Sequence, residues 1–275
     1  MTDGRFKLGA WLVAEDRNRA FDGSTEVENP LRERTRILVP LVTADLRVTP
    51  RFGLQFAASL PNVTRTAVVP RATGPFNYRE NFSGLGDTSV VGWYRLPPLR
   101  GWTPMVNVGA SLPTGRTETP RFRPELQGGN LVPMSRLQRG SGTIDPILGL
   151  NLNWGRDPWT RFVTVAARTP VYENEDGLRT GSAVEISAGA ARYAPVRKIG
   201  LFGRVSWLHR QQDVFRGTPV LVGGGNWVYF TPGIGVLAGR RLNLQAEVKL
   251  PLYRSLSNTQ LDSRAIVQFG ISRSF

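Results

Sequence analysis

Residues 242–252 read LNLQAEVKLPL. Leu242, Leu244, Ala246, Val248, Leu250 and Leu252 take one parity, and Asn243, Gln245, Glu247, Lys249 and Pro251 the other. A period of two is the spacing of a β-strand, whose successive side chains leave opposite faces of the sheet. A helix turns every 3.6 residues and cannot keep the two sets apart.

The same alternation returns along the chain. Phe52, Leu54, Phe56, Ala58 and Leu60 share a parity, as do Val106, Val108, Ala110 and Leu112. So do Ile144, Pro146, Leu148, Leu150, Leu152 and Trp154. Val184, Ile186, Ala188 and Ala190 repeat the pattern, and Val228, Phe230, Ile234, Val236 and Ala238 close the set. Helical spacing is poor throughout, and the 30 glycines and 20 prolines are spread through the apolar segments. The alternation predicts twelve strands: 5–14, 34–48, 52–60, 86–96, 103–113, 141–154, 160–170, 182–194, 199–211, 227–238, 241–252 and 262–275. The segments at 34–48 and 160–170 alternate least cleanly.

The connections carry a second regularity. Short turns such as Thr49-Pro50-Arg51, Gly155-Arg156-Asp157-Pro158-Trp159 and Gly239-Arg240 alternate with longer polar segments at 15–33, 61–85, 114–140, 171–181, 212–226 and 253–261. An up-and-down sheet with one trimmed end and one elaborated end has this layout. It is the pattern of a transmembrane antiparallel β-barrel, with short periplasmic turns, long extracellular loops and an even number of strands. A soluble sandwich would put Lys, Glu and Thr on its outer face. Here the non-apolar parity is Gly, Ser, Asn and Gln with scattered charges, which suits a wet lumen. Strands of this length cross hydrocarbon at a tilt, and closing the sheet leaves no unpaired edge in lipid. Aromatic residues collect where strands meet connections: Trp102, Trp154, Trp159 and Tyr193 at the short-turn end, Trp227 and Tyr253 toward the loops. Such residues form interfacial girdles. The chain of 275 residues is expected to be a single barrel domain over 1–275.

Composition narrows the function. The mean hydropathy is −0.21, which does not argue against a barrel, since only half its residues face lipid. There is no cysteine and only one histidine, His209, so thiolate or histidine metal sites and cofactor chemistry are not expected. The formal charge is +14 and mostly arginine, yet no nucleic-acid module is present. His209 precedes Arg210, Gln211 and Gln212, with no serine two residues on, so a membrane phospholipase and enzymatic activity in general are not expected. Met1-Thr2-Asp3 runs straight into strand-like sequence, so an outer-membrane location implies a leader already removed.

The stretch SGLGDTSVVGWYRL at 83–96 imitates a phosphate loop, but a strand follows it where an anion site needs a helix N-terminus. Gly84-Leu85-Gly86-Asp87 precedes a strand ending Tyr94-Arg95-Leu96. Leu112-Pro113-Thr114-Gly115 ends the next strand, and Gly140-Ser141-Gly142-Thr143-Ile144-Asp145 opens another. These three motifs, in this order over 84–155, resemble the outer-membrane transporter family named for the MetA pathway of phenol degradation. The resemblance implies a bacterial outer-membrane barrel linked to uptake of aromatic or other hydrophobic small molecules. The last eight residues resemble the C-terminal recognition signal of outer-membrane proteins, with Gln268, Gly270 and Phe275 matching and Arg273 departing from it. That signal implies the barrel-assembly machinery as a partner during insertion.

The expected function is a passive channel for small molecules. Twelve strands leave a narrow pore, constricted by an inward loop. By parity the lumen receives Lys7, Asp45, Arg47, Asp87, Arg95, Asp145, Glu185, Arg204, Arg210, Glu247, Lys249 and Arg264. Such charges select solutes by sign, or simply pair and plug the barrel. The third loop carries Arg116, Arg121, Arg123, Arg136 and Arg139, which suit lipopolysaccharide phosphates, an anionic solute or plain solvation. The alternative function is a non-transporting docking barrel whose loops bind lipopolysaccharide or a partner protein. The acidic first loop, with Glu15, Asp16, Asp22, Glu26, Glu28 and Glu33, is expected to pair with basic neighbours and pack the outer mouth.

Overall fold

Among the described residues of the computed structural model every regular element is a strand, as the period-two alternation requires. The structure describes residues 5–70, 74–117, 139–194, 196, 198–220, 223–239 and 241–275. In chain order the strands are β1 (Phe6–Gly23), β2 (Thr25–Val27), β3 (Arg34–Arg47), β4 (Phe52–Ser59), β5 (Asn62–Val69), β6 (Phe76–Ser83), β7 (Thr88–Arg95), β8 (Trp102–Leu112), β9 (Asp145–Arg156), β10 (Trp159–Arg168), β11 (Leu178–Arg179), β12 (Ala183–Ala194), β13 (Ile199–Arg210), β14 (Val214–Phe215), β15 (Thr218–Pro219), β16 (Gly225–Ala238) and β17 (Leu242–Ser274).

Fourteen strands form one sheet. Three of them, β2, β5 and β6, extend it at the loop end, which leaves eleven wall elements. One of these, β17, crosses the wall twice. Its residues 242–256 pair with β16 and its residues 260–274 pair with β1. The Ser274 amide donates to the Arg241 carbonyl at 3.0 Å across the base of this hairpin. The chain reverses near Asn258, whose φ of +64° a short Asn tolerates in a tight turn. The wall is thus crossed twelve times. It closes because β1 pairs with β17 on one side and with β3 on the other. Closure removes the unpaired edges that hydrocarbon does not tolerate.

Burial runs opposite to that of a soluble protein. Leu148, Leu201, Leu252 and Phe269 are each more than half exposed on the outer surface, while Asp145 and Thr231 are fully buried inside. The outer surface is therefore built for lipid and the inner one for water and polar contacts. The apolar band ends sharply. Ala14 pairs with Leu38, and two positions on Asp16 pairs with Arg36. On the same outer face of β1 and β3, apolar residues give way to charge within one pleat repeat. At the other end Trp102 faces Trp154 across two strands. Arg161 lies 4.9 Å from the Trp154 ring and Arg192 lies 5.8 Å from that of Trp159. These are girdle aromatics with cationic partners at headgroup depth.

Several expected loops are instead ordered strand. The segment 15–33 continues β1 to Gly23 and returns through β2. The segment 61–85 is the hairpin β5–β6, added to the start of β3. The segment 253–261 is the tight tip of β17. A small three-stranded sheet, β11-β14-β15, joins the loops at 171–181 and 212–226. Above the lipid band both faces of a strand are polar, so the chain keeps its pairing while its sequence loses the alternation.

Two aromatics expected in the girdles turn inward. Trp227 is buried with Phe21, Tyr229 and Leu256 in the upper lumen. Tyr193 lines the lumen mouth at the short-turn end. Position along a strand sets depth, and parity sets the face.

Candidate functional site

The lumen holds two cavities that share Ile147 in their walls. The lower one opens at the short-turn end and has a volume of about 1330 Å³. Among the described residues Arg5, Lys7, Arg47, Arg95, Lys198 and Arg241 line it together with one carboxylate, Asp45. Asn107, Asn151, Asn243, Gln55 and Thr164 add neutral polar groups, and Val91, Trp93 and Met105 add apolar surface. Trp93 lies flat over Gly53, where a Cβ would stand 2.3 Å from its Cζ2 atom. Glycine is required there by the close approach.

The upper cavity, about 460 Å³, is walled by Ser59, Asp87, Ser89, Ser111, Ser141, Arg139, Arg168 and Arg210 among others. At its centre the three sequence motifs converge. Asp87 accepts from the Ser141 amide and hydroxyl, both at 2.8 Å, and from the Gly115 amide at 3.2 Å. The Thr114 hydroxyl donates to the Gly86 carbonyl at 2.9 Å. A Cβ on Gly115 would meet Gly140 Cα at 2.7 Å, so the two ends of the third loop touch backbone to backbone. Beside this clamp, Arg168 Nε donates to Asp145 at 2.8 Å, and its Nη2 stands 3.8 Å from Asp87. The Thr143 hydroxyl donates to Asp145 at 2.6 Å. The glycine-rich stretch at 83–96 thus holds a loop base; its carboxylate accepts backbone amides where a phosphate loop would present them.

At mid-depth two ion pairs link inward side chains along the β12–β13–β16–β17 side of the wall. Arg204 on β13 meets Glu247 on β17 at 2.9 Å, passing over β16. Lys249 on β17 meets Glu185 on β12 at 3.2 Å and lies 4.3 Å from the Tyr229 ring. Under the loops the β1–β16–β17 side is filled. Trp227 Nε1 donates to Asp262 at 3.0 Å, Arg254 is 3.4 Å from Asp262, and Arg17 pairs with Glu15 at 2.7 Å. The Ser263 hydroxyl donates to Glu15 at 3.0 Å.

Of the lumen residues expected from sequence, Asp87 and Asp145 belong to the clamp, Arg95 lines the lower cavity, and Glu185, Arg204, Glu247 and Lys249 form the ion pairs. Arg210 lines the upper cavity and meets Asp213 at 2.9 Å. Arg264 is exposed beside the irregularity where Ile266 faces Glu15 but Ser263 faces Arg17. Among the loop arginines, Arg116 is exposed, and Arg139 turns into the upper cavity, its Nη1 donating to the Ser83 carbonyl at 2.9 Å. Arg121, Arg123 and Arg136 lie outside the described residues. Gln268 and Gly270 take the inward parity, with Gly270 beneath the Trp11 ring. Phe275 sits 6.1 Å from Phe6 at the seam. His209 Nδ1 donates to Asn226 Oδ1 at 2.9 Å, and the ring stacks on Trp207. Among the described residues no serine hydroxyl bonds to it.

Sequence reasoning missed Arg168, Ser141 and Thr143, although counting inward from Thr164 would have found Arg168. Arg17 and Arg254 were hidden because their segments read as loops, whereas Asp262 opens the strand expected at 262–275 and was passed over. Outside the lipid band, Asp16 accepts from Arg34 Nε at 2.8 Å, and this hydrogen bond holds its carboxyl below the usual range against the opposing effect of partial burial.

The fold has solved counterparts. An outer membrane channel from Pseudomonas putida F1 superposes with a TM-score of 0.72 at 12% identity, over 99% of this chain and 96% of that one. The chain shares an outer-membrane β-barrel fold with that channel. The NanC porin matches with a TM-score of 0.50 at 7% identity, over 96% and 98% of the two chains. No protein-family model matches the sequence, and no curated protein does.

Proposed function

We propose that this barrel is a passive outer-membrane channel for small molecules, with aromatic or other hydrophobic compounds among its solutes. The observation that carries the reading is the pair of cavities meeting at Ile147 along the lumen. The similar structures support it, one being described as an outer membrane channel and the other as a porin. Trp93 and Met105, together with the resemblance of the 84–155 motifs to the MetA-pathway transporter family, support the solute class. The work of the protein is then to line a path. Inward polar groups replace part of a solute's hydration, and the ion pairs at mid-depth add fixed charge to the wall it passes. Purified protein in planar bilayers is expected to give unitary currents, and liposomes containing it are expected to swell in aromatic solutes. No conductance together with no solute flux overturns the proposal.

A docking barrel is the second reading, with Arg116 and its loop neighbours holding lipopolysaccharide phosphate. The ion pairs Arg204–Glu247 and Lys249–Glu185 favour it, because they occupy the lumen. Flux that is absent and stays absent in Arg204→Ala and Glu247→Ala would support this reading over the first.

A further inference from the structure

The geometry points to the lower cavity as a selectivity site for small organic anions, in which a carboxylate is joined to an apolar or aromatic body. The inference rests on the channel reading and specifies what that channel admits.

Charge is distributed unevenly along the lumen. At mid-depth each basic group has a carboxylate partner: Arg204 has Glu247 and Lys249 has Glu185. Among the described lining residues of the lower cavity, Arg5, Lys7, Arg95, Lys198 and Arg241 stand with one carboxylate, Asp45. They come from β1 and the residue before it, from β7, and from the turns before β13 and β17, on different sides of the barrel, so they converge on a common space. A concave, low-dielectric wall carrying one sign of charge concentrates counter-ions and repels co-ions. Arginine also offers a planar pair of donors that matches a carboxylate, which a bare chloride does not use.

The second half of the argument is apolar. Trp93, Val91 and Met105 stand in the same wall as Arg95 and Asn107. A solute with a charged head and a flat body meets both surfaces at once. A neutral ring gains only the apolar contact, and an inorganic anion gains only the field. The water-filled setting keeps such binding weak, as conduction requires.

Two measurements test this. In planar bilayers under an about tenfold KCl gradient, the reversal potential should fall on the anion side. The triple variant Arg95→Gln, Lys198→Gln, Arg241→Gln should lower the chloride-over-potassium permeability ratio by about threefold. In detergent micelles, calorimetric titration should show benzoate binding roughly tenfold tighter than benzyl alcohol, and benzylamine not at all. Arg95→Gln alone serves if the triple variant does not fold. Current without anion preference, or benzoate no tighter than benzyl alcohol, overturns the inference while leaving the channel intact. Absence of current removes the channel reading, and the micelle titration then decides the anion site independently.

Discussion

Asp87 receives both the amide and the hydroxyl of Ser141 at 2.8 Å, across 54 positions of sequence. It also receives the Gly115 amide, so one carboxylate ties both ends of the third loop to the start of β7. Bonds to an ionised acceptor are stronger than neutral ones, and removing the acceptor leaves half-buried donors unmet.

Asp87→Ala should therefore lower stability by about 2 kcal/mol, read as an earlier loss of heat-modifiable mobility on gels. Trypsin cleavage after Arg116 and Arg139 should speed up in parallel. Unchanged mobility and cleavage would mean that the clamp contributes nothing.

Leu148 is 58% exposed at the middle of the outer band on β9. In a soluble protein, Leu148→Arg would be nearly silent. In this barrel it places a cation against acyl chains and should cost about 2–4 kcal/mol of folding free energy in lipid vesicles. Refolding yield in phosphatidylcholine vesicles across a urea series measures it. A cost below about 1 kcal/mol would argue against lipid at this position.

Lys249 and Glu185 meet from strands separated by β13 and β16. Lys249→Ala removes a long inward side chain at mid-depth and should raise unitary conductance roughly twofold if that level limits flow. The same variant with Glu185→Gln should keep the larger conductance without leaving an unpaired carboxylate. Identical currents in all three proteins would place the limiting section elsewhere.

Asp16 lies beyond the lipid band and pairs with Arg34. Its folded-state pKa is depressed, first by the Arg34 hydrogen bond. A depressed carboxyl contributes stability that is fully present above the unfolded value, about 3.9, and lost as pH falls through the lower folded value. The pair is solvated, so Asp16→Asn should cost under about 1 kcal/mol at neutral pH and nothing below the acid limit. Urea midpoints in micelles at pH 7 and in strong acid measure the difference.

The alternation in 242–252 and 143–154 was enough to read a barrel, because there lipid on one side and water on the other force opposite chemistry on adjacent residues. The same logic explains where reading stopped. Past Ala14, β1 carries Glu15 and Arg17 inward and Asp16 outward, so period two persists in the backbone but has no hydropathy contrast. The tip of β17, with Arg254 inside and Tyr253 outside, is similarly indistinct. Trp227 shows a related loss: an aromatic near a strand end reads as interfacial, yet it satisfies its indole N–H on Asp262 inside the wall. The clamp was legible only as three separate motifs. Their meeting depends on β7, β8 and β9 being neighbours, a matter of pairing order that no single stretch encodes.

The strands outrun the bilayer at the loop end. From Asp16 to Gly23, β1 continues for eight residues past the last apolar pair. At about 3.3 Å per residue and the usual barrel tilt, that is a sleeve roughly 20 Å tall. Its summit is stiffened by paired backbone and by the buried Phe21–Trp227–Leu256 cluster. Anything arriving from outside would reach the rim of a raised well before it reached the level of the lipid headgroups, and would enter it from water.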